Sequence, residues 1–198
     1  MGTQSLQFIA THLQYLHVGP LNLRVPGGSC LALVGRSGSG KSVALRMMAD
    51  LVPHAGTCRL DGVAASDVPA RQWRTWIRYV AAEAGWWAPR VDQHFRNPSG
   101  LGKSLARLRL EPKLLTAPPA HLSTGERQRL AFLRALEGGP RVLLLDEPTA
   151  ALDAEAVLAV EDMVKEHMER GGAAIMTSHD PAQLERLADQ IVNVEGDR

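Results

Sequence analysis

The stretch Gly35-Arg36-Ser37-Gly38-Ser39-Gly40-Lys41-Ser42 decides the fold, because it fits the pattern G-x-x-x-x-G-K-[ST] and directly follows the apolar run Cys30 to Val34. Its glycines allow successive backbone N–H groups to turn inward around a polyphosphate. The helix that follows would present its positive end to the same anion. The pattern therefore predicts a strand, a phosphate-binding loop and a helix.

Two side chains of this loop have predicted roles. Lys41 is expected to reach the β- and γ-phosphates of a nucleotide, and Ser42 to hold Mg²⁺ through its hydroxyl. We expect the whole octapeptide and the following Val43 to contact the nucleotide. An ordinary glycine-rich turn is the alternative, and the strand-like run before the loop argues against it. The loop alone leaves kinases, GTPases and ATPases open.

Composition limits the other possibilities. The 198 residues suffice for one α/β core, and the net charge of +1 without a block of Lys or Arg gives no electrostatic basis for a nucleic-acid partner. No apolar run approaches the length of a membrane-spanning helix, and the amino terminus lacks the layout of a signal peptide. The cysteines, Cys30 and Cys58, lie in strand-like segments and are expected to be buried, reduced thiols.

The first part of the chain is predicted to form antiparallel strands. From Leu6 to Val25 short alternating segments are split by Gly19-Pro20, which predicts a turn at that dipeptide. Tyr15 lies between these strands, where its ring could stack on a flat base. Simple packing of this lone aromatic is an equally good interpretation.

The second half alternates strands with helices. The uninterrupted apolar run Val142 to Leu145 ends in Asp146-Glu147, which indicates a buried central strand with acids at its carboxyl end. Ala154 to Glu169 has the pattern of an amphipathic helix, and Ala173 to Thr177 that of the next strand. This alternation predicts a largely parallel sheet covered on both faces. Residues 83–122, rich in proline, are predicted to form a short helical insertion.

Ser123-Thr124-Gly125-Glu126 fits a capping box at the start of a helix, because the Ser hydroxyl and the Glu carboxylate can each satisfy an orphan N–H. With the preceding Leu122, this segment resembles the signature of ATP-binding cassette (ABC) ATPases. The Val142 to Thr149 stretch is similar to that family's Walker B strand, Ala151-Leu152-Asp153 to its D-loop, and Thr177-Ser178-His179-Asp180 to its His switch. The resemblance covers nearly the whole chain, with the motifs in the family's order.

The resemblance implies a fold and a domain organisation. The fold class expected is α/β: a P-loop NTPase core with a mostly parallel sheet, an N-terminal antiparallel β subdomain and a short helical subdomain. Residues 1–198 would form a single nucleotide-binding domain, with the helical subdomain inserted at about 84–138.

The resemblance also implies the chemistry of the site, with ATP and Mg²⁺ as cofactors. Asp146 would hold Mg²⁺ or its waters, Glu147 would act as general base, and His179 would contact the γ-phosphate and steady Glu147. The signature residues and Asp153 would serve the ATP of an opposite subunit, so that two chains enclose two nucleotides as a dimer. The signature residues in this predicted site are Ser123, Thr124, Gly125 and Glu126.

Two departures from the family pattern affect the expected site. Ala82 stands where the family usually has a Gln between the two subdomains, and the adjacent Glu83 is the predicted replacement as a Mg²⁺ ligand. Thr124 replaces the usual first Gly of the signature. The neighbouring Trp86-Trp87 pair could simply pack the helical insertion, or could form a socket for a partner's cytoplasmic helix.

The predicted function is that of the ATP-hydrolysing subunit of an ABC transporter, which powers transport through separate membrane-spanning chains. It would lie at the cytoplasmic face of the membrane. The alternative is a soluble ABC ATPase acting on ribosomes or DNA, although such proteins usually carry tandem cassettes or a long coiled-coil insertion. A small-molecule P-loop kinase is a third possibility, and it would not need the signature helix.

Overall fold

The structure, a computed structural model, describes residues 6–194. Its strands form a five-stranded parallel sheet and a four-stranded antiparallel sheet. The strands are β1 (Gln7–Tyr15), β2 (Val18–Pro26), β3 (Cys30–Val34), β4 (Ala55–Leu60), β5 (Val63–Ala64), β6 (Ile77–Val80), β7 (Val142–Asp146), β8 (Ala173–Thr177) and β9 (Gln190–Asn193). The α-helices are α1 (Lys41–Met48), α2 (Ala70–Trp76), α3 (Gly102–Arg107), α4 (Thr124–Leu136), α5 (Ala154–Glu169) and α6 (Pro181–Leu187).

The parallel sheet has the strand order β6-β7-β8-β3-β9. Its central strands are apolar throughout because both faces are covered. Leu31 and Leu33 of β3 pack in one core cluster with α1 and α2, while the intervening Ala32 packs in a second cluster with α4 and α5. The predicted parallel sheet with helices on both faces is therefore confirmed.

The order of these strands assembles the site. Thr177 at the end of β8 pairs with Asp146 of β7 on one side and with Leu33 of β3 on the other. The carboxyl ends of the three strands consequently meet at one edge of the sheet. The phosphate loop leaves β3 at this edge and leads directly into α1.

The antiparallel sheet has the order β2-β1-β4-β5 and corrects one prediction. The chain turns at Leu16-His17, whereas the predicted turn at Gly19-Pro20 lies inside β2. Gly19 has a φ of 103°, and a Cβ there would lie 2.3 Å from the Leu13 carbonyl oxygen, so the close approach of the two strands requires glycine. Pro20 is tolerated because β2 is an edge strand, where a missing N–H need not break the ladder.

The segment between β6 and β7 packs onto the sheet through leucines. Leu105 and Leu108 join a core cluster with Leu133 of α4 and Leu143 of β7. Three prolines begin 3₁₀ turns, at Pro98–Leu101, Pro112–Thr116 and Pro119–His121. The resulting helix, α3, is only six residues long. The segment therefore shares a core cluster with α4.

Both cysteines are buried and free, as predicted. Burial raises the pKa of the Cys30 thiol to about 12 and that of the Cys58 thiol to about 12. Both thiols therefore stay protonated at neutral pH and behave as small apolar side chains. Within residues 6–194, none of the helices has the length and apolarity needed to cross a bilayer.

Candidate functional site

The lysine of the phosphate loop, Lys41, is hydrogen-bonded to the backbone of the same loop. Lys41 is only 6% exposed, and its Nζ donates to the backbone carbonyl oxygens of Gly35 at 2.9 Å and Arg36 at 3.1 Å. Gly40, at the N-cap of α1, has a φ of 96°, and no side chain caps this helix end. A Cβ on Gly40 would lie 2.1 Å from Val18 Cγ2, so glycine is required there.

This loop fits an anionic ligand. Lys41 is a buried ammonium that makes no ion pair with any residue of the described chain, and the buried Ser39 hydroxyl has no hydrogen-bond partner there either. A buried cation and an orphan donor beside an uncapped helix start are costly unless an anion binds them. Arg36, Ser37 and Gly38 are exposed at the tip of the loop, where a ligand can reach them.

Asp146 is the buried carboxylate of the site, with 3% exposure. Ser42 Oγ donates to Asp146 Oδ1 at 2.9 Å, and Thr177 Oγ1 donates to the same oxygen at 3.0 Å. The Tyr79 hydroxyl donates to Asp146 Oδ2 at 2.8 Å. These hydroxyls are neutral, and Asp146 makes no ion pair with another described residue. A cation would therefore complement this carboxylate, which no positively charged side chain of the described residues pairs with.

Glu147 and His179 form a side-chain pair next to Asp146 in the chain and at the end of β8. His179 Nε2 lies 3.2 Å from Glu147 Oε1, and both side chains are partly exposed to solvent. Glu147 has a φ of 47°, a conformation that non-glycine residues rarely adopt. Its N–H donates to Thr177 Oγ1 at 3.0 Å, and its carbonyl accepts from Gln128 Nε2 at 2.7 Å. Contacts on both sides therefore hold the strained backbone.

The helix start at residues 123–126 is built as predicted. Ser123 caps α4, with its N–H donating to Glu126 Oε2 at 2.8 Å and its hydroxyl accepting from the Glu126 N–H at 3.2 Å. Ser123 and Thr124 are exposed. Asp153, also exposed, caps α5 by accepting from the Ala156 N–H at 2.9 Å. No hydrogen bond or ion pair in the described chain joins residues 123–126 to the phosphate loop.

Comparison with known proteins decides between the remaining possibilities. The family model described as ABC transporter matches residues 18–150, two thirds of the chain. The chain belongs to the ABC transporter family. The predicted family is therefore confirmed, and the parallel sheet with its phosphate loop agrees with the predicted α/β P-loop fold.

Individual relatives agree with this assignment. The chain is 35% identical to an aliphatic sulfonates import ATP-binding protein of Agrobacterium fabrum, over 88% of this chain and 69% of that protein. It is 36% identical to a molybdenum import ATP-binding protein of Bordetella pertussis, over 90% and 53% respectively. The chain thus spans between about half and two thirds of the length of these relatives.

A solved structure confirms the fold. The ATP-binding subunit of an ABC transporter superposes on the chain with a TM-score of 0.83, covering 96% of this chain and 86% of that one. The sequence identity is 24%, so the likeness concerns the fold alone.

The remaining predicted site residues are Tyr15, Val43 and Glu83. Tyr15 ends β1, is half-buried and pairs with Val18, whose side chain contacts Gly40 of the phosphate loop. Val43 is half-buried on α1. Glu83 follows β6 and is exposed, and no hydrogen bond or ion pair to another described residue holds it in place.

Three contacts at this edge of the sheet were not predicted from the sequence: those of Tyr79 and Thr177 with Asp146, and that of Gln128 with Glu147. Tyr79 is half-buried, and burial raises its pKa to about 12, so its hydroxyl remains a donor to Asp146 at any physiological pH. Arg46 Nε donates to the Tyr79 hydroxyl at 3.3 Å. The sequence signal for Tyr79 is its place near the end of a strand, but its use depends on β6 lying beside β7.

Proposed function

We propose that this chain powers transport through separate membrane-spanning subunits, by hydrolysing ATP at the interface of a dimer on the cytoplasmic face of the membrane. The observation that carries the proposal is the meeting of Lys41, Asp146, Glu147 and His179 at one edge of the sheet. Two relatives are named import ATP-binding proteins, which supports the proposal that ATP hydrolysis by this chain drives transport. The transported substrate would then be chosen by the membrane partner.

Mg²⁺ would be held by the Ser42 hydroxyl and the Asp146 carboxylate, which already lie 2.9 Å apart. Mg²⁺ usually binds one or two carboxylates together with nucleotide phosphates and water, rather than a cage of protein ligands. Among the described residues no group of three or more His, Cys, Asp or Glu could hold a metal ion. The ion would neutralise charge on the β- and γ-phosphates.

In the proposed reaction the Glu147 carboxylate accepts a proton from the attacking water. His179 Nε2 lies 3.2 Å from Glu147 Oε1, so this ring is proposed to steady the carboxylate and to contact the γ-phosphate. Lys41 would exchange its two carbonyl partners for phosphate oxygens and stabilise the charge that develops in the transition state. Tyr15 is proposed to stack on the base, from its place beside the phosphate loop.

The dimer is proposed because Ser123 and Thr124 at the start of α4 are exposed, and no hydrogen bond or ion pair among the described residues joins residues 123–126 to the phosphate loop. Ser123, Thr124, Gly125 and Glu126 would bind the γ-phosphate of the ATP held by the second chain, as a helix start favours an anion. Asp153 would lie near the same interface. We further propose that residues 84–138 act as the helical subdomain of a single nucleotide-binding domain spanning 1–198.

Glu83 is proposed to supply the contact to Mg²⁺ that Ala82 cannot make. Its carboxylate is exposed and unpaired among the described residues, so a movement of this loop could bring it to the metal. Glu83→Ala is expected to raise the Mg²⁺ concentration for half-maximal ATPase activity by about threefold to tenfold. Titration of phosphate release with Mg²⁺ measures this, and Glu169→Ala, an exposed residue at the end of α5, is the control. An unchanged Mg²⁺ requirement would leave the ion to Ser42, Asp146 and water.

The loop after Glu83 offers a surface for the membrane subunit. Trp87 is 73% exposed, whereas Trp86 is half-buried against a core cluster. The Arg134 guanidinium lies 4.8 Å from the ring centroids of both tryptophans. Trp86 therefore packs the insertion, and Trp87 is the aromatic available as an anchor.

The same surface is positively charged. A cavity of about 370 Å³ beside Trp87 is lined by Arg78, Arg96 and Arg134, with Glu137 as its carboxylate. Both Glu137 oxygens accept from backbone N–H groups, and Arg78 Nε is a buried donor without a hydrogen-bond partner in the described chain. Burial lowers the pKa of the Arg78 and Arg134 guanidiniums. An acidic cytoplasmic segment of the membrane subunit would complement this charge.

Trp87→Ala is expected to weaken binding of the membrane subunit by about tenfold or more, because buried aromatic anchors dominate protein interfaces. The ATPase activity of the isolated variant should stay within about twofold of wild type. The measurement is co-purification with co-expressed products of neighbouring genes that encode long apolar segments. Ile191→Ala is the matched control, since Ile191 is 59% exposed on β9 at the opposite edge of the sheet. Equal retention of both variants would contradict the proposed docking surface.

The alternative, a soluble ABC ATPase acting on ribosomes or DNA, makes a different prediction for the same experiment. Such a protein would bind no membrane subunit, and its ATPase activity would rise with ribosomes or DNA. The net charge of +1 gives little attraction to nucleic acid. Co-purification of a membrane-spanning protein that depends on Trp87 would decide for transport.

A further inference from the structure

Gln128 lies on α4, is only 5% exposed and uses both ends of its amide. Nε2 donates to the Glu147 carbonyl oxygen at 2.7 Å, and Oε1 accepts from the Ala151 N–H at 3.3 Å. These contacts join α4 to the backbone on both sides of the turn that follows β7. A buried amide that satisfies two backbone groups of one loop fixes the position of that loop.

The loop also packs directly on the first turn of α4. A Cβ added to Gly125 would lie 3.0 Å from the Ala151 carbonyl oxygen and 3.3 Å from Leu152 Cδ2. The helix therefore touches residues 151–152 at Gly125 and holds them again at Gln128, one turn further on. A movement of the helix start has to move this loop as well, because closely packed surfaces transmit displacement.

Glu147, whose carbonyl Gln128 binds, has a strained backbone conformation. Glu147 has a φ of 47°, and its backbone is tied at the N–H by Thr177 and at the carbonyl by Gln128. Such conformations persist only where the surroundings over-determine them. Removal of the Gln128 contact frees the carbonyl, so the Glu147 carboxylate can leave the position in which it meets His179 and the attacking water.

We infer that Gln128 is a positioning residue, which sets the Glu147 carboxylate of its own chain according to the position of α4. The inference rests on the proposed dimer, in which the start of α4 binds the nucleotide of the other chain. Each chain would then hydrolyse its own ATP fastest when its α4 has engaged the second ATP. Gln128 would thereby couple the two nucleotide sites.

The first test separates turnover from binding. Gln128→Leu, which keeps the size of the side chain and removes both hydrogen bonds, should lower the maximal ATPase rate about tenfold or more. The dissociation constant for ATP, measured by fluorescence in the absence of hydrolysis, should change by less than about threefold. Gln128→Glu, which keeps an acceptor for the Ala151 N–H but loses the donor to Glu147, should be as slow. An unaltered maximal rate in both variants would overturn the inference.

The matched control is Gln183→Leu. Gln183 is 1% exposed, and its amide bonds the side chains of Thr149 and Glu161 rather than the Glu147 backbone. Its loss should lower the melting temperature about as much as Gln128→Leu and leave the maximal ATPase rate within about twofold. If the two variants slowed turnover equally, general loosening of the loop would explain the result and Gln128 would have no special role.

Mixed dimers test whether Gln128 acts within its own chain. A hydrolysis-deficient Glu147→Gln chain is supplied in about tenfold excess, so that nearly every competent chain is paired with it by mass action. The measured quantity is the rate of single-turnover phosphate release by the minority chain. Gln128→Leu as the minority chain should release phosphate about tenfold more slowly than wild type as the minority chain.

The converse mixture places Gln128→Leu on the excess Glu147→Gln chain and keeps the minority chain wild type. Its rate should equal that of the wild-type reference mixture, because the competent Glu147 then has its own Gln128. A slow converse mixture with a normal first one would overturn the inference, since Gln128 would then act through α4 on the opposite nucleotide. No phosphate release by wild-type protein, alone or mixed, would contradict the proposed function itself.

Discussion

Lys41→Ala is expected to abolish ATP turnover, with a loss of about a hundredfold or more in the maximal rate. The Lys41 ammonium is buried and bound to the Gly35 and Arg36 carbonyls, so it is the cation already inside the phosphate loop. Alanine removes the charge that would meet the β- and γ-phosphates and leaves the two carbonyls facing the nucleotide. Phosphate release and binding of a fluorescent ATP analogue measure the two consequences, and both should be impaired.

Lys103→Ala is the matched control, because Lys103 is an exposed lysine of α3 away from the loop. It should retain ATPase activity within about twofold of wild type. Near-normal turnover by Lys41→Ala would show that residues 35–42 do not hold the phosphates, and the site would have to be sought elsewhere.

Glu147→Gln is expected to slow turnover by about a thousandfold while ATP still binds. The amide keeps the shape of the side chain and its contact distance to His179 but cannot accept a proton from water. A single-turnover measurement of phosphate release, with the dissociation constant for ATP measured separately, distinguishes the two effects. Glu185→Gln, an exposed glutamate of α6, is the control and should behave as wild type. A Glu147→Gln variant with more than about a tenth of the wild-type rate would contradict the assignment of the general base.

The parts of the site that depend on local sequence were predictable. The phosphate loop and the capping box of Ser123 and Glu126 arise from residues a few positions apart, so their geometry follows from the chain itself. Asp146 and Glu147 were predictable as residues at the carboxyl end of a buried strand. The family resemblance predicted that His179 lies beside Glu147, and in the structure His179 Nε2 lies 3.2 Å from Glu147 Oε1.

The parts that depend on strand order and helix packing were not predictable. Tyr79 reaches Asp146, 67 positions away, only because β6 lies beside β7. Gln128 reaches Glu147 because α4 packs against the loop after β7, and its polar side chain on an otherwise apolar helix face carries no signal of that partner. The misplaced turn at Gly19-Pro20 has a similar origin, since an edge strand accepts residues that would interrupt a central one.

A complete ATP site is proposed to require two chains. Sedimentation of the Glu147→Gln protein with and without ATP and Mg²⁺ tests it most directly, because this variant should bind ATP without consuming it. We predict a monomer without nucleotide and a dimer with ATP and Mg²⁺, and we predict that Ser123→Arg in the same background abolishes the dimer by blocking the start of α4. A protein that binds ATP yet stays monomeric at high concentration would contradict the two-chain site.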